Sequence, residues 1–294
     1  MGHHHGHHHH AEGNLKVAFF LNLGFTIIEI VGGLYTNSLA ILSDALHDMG
    51  DSLSLGLSWY FQKLSKKGRT KNFSYGYRRF SLLGALINSV VLLVGSGIIL
   101  ATAIPELLDP EETNATGMMY LAILGIIVNG MAVVKLKTGT SLNEKAVMLH
   151  LVEDVLGWIA VLAGSIIMMY FDAPFIDPLL SVLIALYILY NVVKNLRESL
   201  RVLLQGVPHG ISISALKKTV SQIDEVADVH DCHIWSMDGN YNVLTVHLKL
   251  KNDLKLSELE NIKFKVRNLI ENQSIDHVTI EFDTPNEDCK FENC

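Results

Sequence analysis

The stretch FSLLGALINSVVLLVGSGIILATAI, residues 80–104, runs 25 residues without a charged side chain. A helix needs about 20 predominantly apolar residues to cross the hydrocarbon core of a bilayer, so this stretch predicts a membrane span. Working outward, five further apolar runs cover residues 15–35, 38–61, 116–135, 146–171 and 175–196. The six together predict an α-helical membrane domain of six transmembrane helices. Composition agrees, since 49% of the 294 residues are hydrophobic and only 18% charged, against about 25% charged in soluble domains. The same figures exclude disorder. The net charge of −7 leaves no basic footprint for nucleic acid. Three cysteines, at 232, 289 and 294, are an odd number and give no legible disulfide framework.

The texture changes near Val207. Residues 207–294 hold 9 Lys and Arg against 15 Asp and Glu, and no run there could span a bilayer. An amphipathic run over 212–224 leads to a strand-like stretch, Val226–Trp235, and a hairpin turn at Asp238-Gly239-Asn240. The return strand alternates, which predicts Leu244, Val246, Leu248 and Leu250 facing in and Thr245, His247 and Lys249 facing out. A helix over 256–272 and a strand over Val278–Phe282 complete an α-β-β-α-β order, read as a C-terminal α+β ferredoxin-like cytosolic domain. The expected organisation is a His-rich arm over 1–14, a six-helix transmembrane domain over 15–206, the ferredoxin-like domain over 207–284 and a Cys-containing tail over 285–294.

Loop charge sets the orientation, because Lys and Arg resist translocation. Residues 62–79 carry seven basic side chains and no acid, whereas 105–114 carry Glu106, Asp109, Glu111 and Glu112 and no base. Lys135, Lys137 and Lys145 lie between the fourth and fifth spans, and Lys194, Arg197 and Arg201 follow the sixth. Every basic loop falls on one side, which predicts a multi-pass membrane protein with both termini cytosolic. The first span begins near Leu15 without a small-residue cleavage site and reads as an anchor. Asn114-Ala115-Thr116 matches a glycosylation sequon on the outer side, a match that chance explains.

The spans also contain charges that hydrocarbon disfavours, at about 2.5–3.5 kcal/mol each near the bilayer centre. Of the nine such residues, Asp44, His47, Asp48, Asp51, His150, Glu153 and Asp154 lie on the second and fifth spans. Their summed cost has an upper bound of about 20 kcal/mol, which a bound cation would offset. Leu46-His47-Asp48-Met49-Gly50-Asp51 and Leu149-His150-Leu151-Val152-Glu153-Asp154 both read L-H-x-x-x-D. Residues at i and i+4 share a helix face. Two such faces opposed offer His47, Asp51, His150 and Asp154 as a tetrahedral site. Asp44 and Asp48 form a rival i, i+4 pair that would suit a harder metal, but the fifth span offers no second D-x-x-x-D. Asp48, around the helix from His47, is expected to orient a neighbouring group. Asp44 and Glu153 are expected to support the site or handle protons, with plain interhelix pairing as the alternative.

Imidazole with carboxylate suits Zn²⁺, and by ligand type Co²⁺ or Cd²⁺, better than Mg²⁺ or Ca²⁺. Metal needs neutral imidazole and ionised carboxylate, so protons compete with it for one site, the physical basis of antiport. Seven of the 14 histidines fall in HHHGHHHH, either an expression tag or a native metal-attracting arm. Glu29 and Asn22 on the first span and Asn88 on the third are expected to hydrogen-bond between helices. Asp177-Pro178 is expected to cap the sixth helix.

With six spans, the repeated L-H-x-x-x-D and the α-β-β-α-β tail, the chain resembles the cation diffusion facilitator family, and within it the bacterial zinc/cobalt/cadmium efflux branch. Three stretches carry the resemblance: Ser38-Leu-Ala-Ile-Leu-Ser-Asp-Ala-Leu-His47, Gly76-Tyr-Arg-Arg-Phe-Ser-Leu-Leu-Gly-Ala-Leu-Ile-Asn88 and Val229-His-Asp-Cys-His-Ile-Trp-Ser236. It implies a homodimer that exports Zn²⁺ from the cytosol by alternating access in exchange for protons, with His47, Asp51, His150 and Asp154 as the transport site. It implies cytosolic Zn²⁺ ligands at His230, His247 and Asp283 near the dimer interface. Cys289 and Cys294 resemble the paired cysteines of some members, and Asp276 stands where some relatives have a histidine. The loop 62–79 has no histidine or aspartate, so the family's extra site there is expected to be absent. The loop 136–145 lacks the histidine-rich insert of many eukaryotic relatives, which leaves metal collection to the N-terminal arm.

Other function classes fare less well. A metal-gated channel or uniporter would use the same ligands without proton coupling, and four strong ligands favour tight binding over fast passage. A membrane-anchored zinc sensor would not need ligands at mid-bilayer. An intramembrane metalloprotease normally needs H-E-x-x-H, and a nucleotide-driven pump G-x-x-x-x-G-K-[ST]; neither occurs. The chain is therefore read as a transporter, not an enzyme, without an organic cofactor.

Overall fold

The computed structural model describes residues 8–65, 67–136 and 142–287. The start of the histidine run, Cys289 and Cys294 lie outside the described residues. Six helices come first: α1 (His8–Thr36), α2 (Leu39–Ser65), α3 (Phe80–Glu106), α4 (Ala115–Leu136), α5 (Leu142–Tyr170) and α6 (Ile176–Leu203). Four of them are long and apolar enough to cross a membrane among the described residues: Phe80–Glu106, Ala115–Val134, His150–Tyr170 and Ile176–Leu203. The expectation of six spans thus meets six helices but four unambiguous spans. α2 departs from it because Asp44, Asp48 and Asp51 fall within about two turns of one helix. The outward stripe Val90, Val94 and Ile98 on α3 is more than half exposed, as befits a surface solvated by lipid chains. The chain is a multi-pass membrane protein.

Two compact units emerge, one drawn from residues 1–59 and 84–195, the other from 60–83 and 196–294. In the first, Phe25, Ile41, Met118, Trp158 and Val161 form a buried cluster. Trp158 lies against Gly125 of α4, where a Cβ would come within 2.4 Å of the indole. Such close approach through a small residue replaces the hydrophobic drive that lipid does not supply.

Asp177 ties α6 to the start of α2. Ser38 is the residue before α2, and its Oγ accepts from the Ile41 amide at 3.2 Å. That hydroxyl in turn donates to Asp177 Oδ1 at 2.6 Å. Asp177 also accepts from the amides of Leu39 at 2.8 Å and Ala40 at 3.4 Å. Asp177, fully buried, therefore caps α2 and not its own helix as the sequence suggested. A carboxylate satisfies any helix N-terminus within reach, and the folded chain brings α2's unpaired amides to it. Ser43 and Ser181 add a hydroxyl pair at 2.8 Å between the same helices.

The second unit contains α7 (Ile213–Val220), β1 (Val226–Ser236), β2 (Asn242–Leu250), α8 (Leu256–Ile270) and β3 (His277–Asp283). Ser212 caps α7 by accepting from the Ala215 amide. Glu258 reaches back to the Lys255 amide at 2.7 Å at the start of α8. The sheet order is β1-β2-β3, with β1 antiparallel and β3 parallel to β2. A parallel neighbour requires a long crossover, and α8 supplies it. The helices bury Leu216, Val220, Ile262 and Val266 against Leu244, Val246 and Leu248. The hairpin turn forms where expected, with Gly239 at φ 92° and Asp238 Oδ1 accepting from the amides of Asn240 and Tyr241.

Replacing Asp177 by Ala removes the acceptor for three buried donors. Each orphaned donor costs about 1–3 kcal/mol, so the detergent-solubilised protein is expected to melt several degrees lower. An unchanged Tm would show that water or another group takes over the cap.

Candidate metal sites in the membrane and in the C-terminal unit

On α2 and α5 the i, i+4 spacing places each His one turn from its Asp, and the helices bring the two pairs together. His47 Nε2 lies 3.7 Å from Asp51 Oδ2. His150 Nε2 lies 2.6 Å from the same oxygen. The two imidazoles meet edge to face, with centroids 5.5 Å apart. Ligand atoms of His47, Asp51 and His150 all fall within 4.8 Å of one another. Asp154 stands outside this trio, its Oδ2 3.9 Å from His150 Nε2. Its side chain is also far less exposed, at 3% against 22–34% for the other three. Asp51 Oδ2, Asp154 Oδ2 and His47 Nδ1 have no aligned hydrogen-bond partner.

A cavity of about 400 Å³ opens beside the trio, lined by Asp44, His47, Glu153 and Asp154 on one side and by Leu180 and Ile184 of α6 on the other. The apolar wall was not legible as part of the site, because aliphatic side chains on a spanning helix carry no chemical signal of their own. Asp44 is buried and lines this cavity, whereas Glu153 is exposed on it. Asp48 is 1% exposed, and its carboxyl group meets that of Glu29 on α1. A second link from α1 runs to its backbone, through Asn22 Nδ2, which also donates to Ser52 Oγ. Glu29 meets Asp48 across the α1–α2 pair, whereas Asn88 does not make the interhelix hydrogen bond expected of it: its Oδ1 is buried and unpartnered. Burial on a helix face gave the residues the right depth, but pairing depends on what the adjacent helix presents.

The C-terminal unit gathers a second trio. β-sheet register sets His230 directly opposite His247 and Lys249 opposite Asp283. His230 Nε2 is 2.9 Å and His247 Nδ1 3.6 Å from Asp283 Oδ2. Ligand atoms of the three lie within 4.8 Å of one another. All three residues are buried, so His247 does not face solvent as the strand alternation predicted. It does lie off the α8-covered face, but there His230, Asp231 and Asp283 cover it. Both ring nitrogens of His230 and Asp283 Oδ2 lack hydrogen-bond partners, and this nitrogen–oxygen donor set fits Zn²⁺.

Sequence reading missed two carboxylates beside this trio. Asp231 Oδ2 and Glu281 Oε2 approach His247 Nε2 at 3.3 and 3.4 Å. Asp231 occupies a β-bulge, at φ 42°, where the register shifts between His230 and His233. A bulge re-aims side chains in this way. The signal for Glu281 was its period-two spacing from Asp283. Asp276 and His277 do not join the cluster: Asp276 Oδ2 accepts from the Asn242 amide, and the His277 ring meets Tyr75 edge-on. Cys232 lies in the apolar core, where burial raises its thiol pKa. His209 pairs with Glu198 at 2.7 Å on the surface.

Replacing both His230 and Asp283 by Ala is expected to remove one zinc from the stoichiometry of the purified protein, read by calorimetry. Unchanged stoichiometry in the double variant would exclude this cluster as a zinc site.

Residues 15–204 match the family described as the cation efflux transmembrane domain, and residues 208–285 match the cation efflux protein, cytoplasmic domain. The chain is 35% identical over 291 residues to a cadmium, cobalt and zinc/H(+)-K(+) antiporter of Bacillus subtilis (strain 168), covering 97% of this chain and 92% of that protein. It is 35% identical over 285 residues to the metal cation efflux system protein CzcD of Cupriavidus metallidurans, covering 96% and 90%. Against the zinc transporter ZitB of Escherichia coli (strain K12) the identity is 30% over 297 residues, covering 96% and 93%.

Proposed function

The chain belongs to the cation efflux family, also called the cation diffusion facilitators, and on that premise we propose that it exports Zn²⁺, and by ligand type Co²⁺ or Cd²⁺, from the cytosol in exchange for protons. The observation that carries this reading is the convergence of His47, Asp51 and His150 in the membrane unit, with Asp154 one turn from His150. His47 and His150 bind a divalent ion only when neutral, and Asp51 and Asp154 only when ionised. Protons arriving from the outer side neutralise the carboxylates or charge the imidazoles, and either event expels the metal. Metal arriving from the cytosol displaces the protons in turn. Alternating access couples the two by exposing one site to each side in succession. Asp44 and Glu153, on the same cavity, pass protons to and from it.

The rest of the organisation follows the same reading. All six helices cross the cell (inner) membrane, the termini and the basic loops are cytosolic, and residues 15–206 form the transport domain. Residues 207–284 form a ferredoxin-like cytosolic domain through which two chains pair as a homodimer. His230, His247 and Asp283 hold a resident Zn²⁺ there, and Cys289 and Cys294 add thiolates from the tail. The histidine arm of residues 1–14 collects metal for the pore.

Flux into proteoliposomes tests the transport reading. Zinc uptake is expected to follow an imposed pH gradient and to fall to background in Asp51→Ala and His150→Ala. An imposed K⁺ gradient, suggested by the name of the Bacillus subtilis relative, forms a second arm. Flux indifferent to the pH gradient would instead mark a uniporter. Deleting residues 1–10 should lower the initial rate several-fold at submicromolar zinc and leave the saturated rate unchanged. An unaltered rate at low zinc would end the collecting role of the arm.

A further inference from the structure

The α2–α3 loop carries seven of the chain's 23 basic side chains, yet residues 62–79 contain no histidine or carboxylate with which to bind a cation. The loop is folded on itself. Thr70 donates its amide to Phe73 O at 3.1 Å, and Gly76 donates to the same carbonyl at 3.0 Å. Gly76, at φ 76°, allows the return pass: a Cβ there would lie 3.0 Å from Lys67 O. The rings of Phe73, Tyr77 and Phe80 pack together with centroids 4.5–5.9 Å apart.

This folding leaves a pocket of about 310 Å³ between the loop and the β1–β2 turn of the same unit, lined by Lys67, Arg69, Tyr75, Arg78, Asp238 and Tyr241 among others. Arg78 is pre-positioned, with its guanidinium 4.0 Å over the Tyr241 ring and Nη1 3.6 Å from Asp238 Oδ2. Lys67 and Arg69 have no ion-pair partner among the described residues. Three cations against one carboxylate leave a surplus of two positive charges, in a chain whose net charge is −7. Two phenol groups, from Tyr75 and Tyr241, add hydrogen-bond donors. The volume is at the small end of ligand pockets, suited to a headgroup and tight for a nucleotide. Phe80 opens a helix apolar enough to span the bilayer. The pocket-forming loop thus leads directly into a membrane span, and its aromatic cluster is of the kind enriched at the interface.

We propose that this pocket binds the phosphate of an anionic phospholipid headgroup, with Lys67 and Arg69 supplying the charge and Arg78 the fixed guanidinium. Such a lipid bridges the membrane-proximal loop and the β1–β2 turn, and holds the two together without a metal.

The test uses the whole protein, delipidated in neutral detergent, with short-chain phosphatidylglycerol and phosphatidylcholine titrated in parallel and bound lipid counted by native mass spectrometry. The protein is expected to prefer phosphatidylglycerol. Lys67→Gln with Arg69→Gln is expected to weaken that binding by about 10- to 30-fold. Neutralising Lys249 and Lys251 to Gln, on the β2 strand and just after it, should leave it unchanged. Arg69→Gln alone carries the test if the double variant loses its normal melting temperature. Equal binding of the two lipids, or undiminished binding in the variants, would overturn the proposal. So would displacement of the lipid by millimolar inorganic phosphate, which would reassign the pocket to a soluble anion.

Discussion

An ionised group placed in hydrocarbon must find a partner, and most of this molecule's membrane unit can be read as the consequence. Each carboxylate or imidazole at mid-bilayer costs about 2.5–3.5 kcal/mol, yet α2 and α5 carry seven such groups between Asp44 and Asp154. The protein does not pair them all internally, since Asp154 Oδ2 remains buried without an aligned hydrogen bond. In the proposed transport reading the missing partner is mobile: a divalent ion in one half of the cycle and protons in the other. A site satisfied permanently by neighbouring side chains could hold neither.

A site of this kind works only if its two helices keep their register while the occupant changes. The Asp177 cap bears on this, because it fixes the start of α2, two turns before His47, to the first turn of α6. The same α6 supplies the apolar wall of the cavity beside the trio. Trp158, one turn beyond Asp154, is wedged against Gly125 and Phe25. Ligands mounted on packed helices are held more precisely than ligands on loops.

The C-terminal unit solves the related problem of burying imidazoles in a small domain. Its core lies on the face covered by α7 and α8, so the other face of a three-stranded sheet would ordinarily be wet. Here His230, His247 and Asp283 close over one another on that face, and the bulge at Asp231 turns a further carboxylate toward them. The result is a polar cluster held by strand register, which leaves the hydrophobic side of the sheet free to pack against α8.

Sequence alone determined the spans of α3 to α6, because continuous apolarity has one solution in a bilayer. It determined the α-β-β-α-β order of the C-terminal unit, because helical and strand periodicities differ. The H-x-x-x-D pairs were legible for the same local reason: i and i+4 share a helix face whatever the rest of the fold does. What only tertiary structure decided were the relations between elements. Strand alternation put His247 outside, but the three-strand register buried it against His230 and Asp283. Asp177 read as the cap of its own helix, whereas the fold delivers the amides of α2 to it. Asp154 read as a fourth member of the site, and the fold sets it deeper than the other three. Local spacing fixes which face a side chain occupies; what that face meets is set by contacts between separate elements, as far apart in the chain as Ser38 and Asp177, which no local pattern encodes.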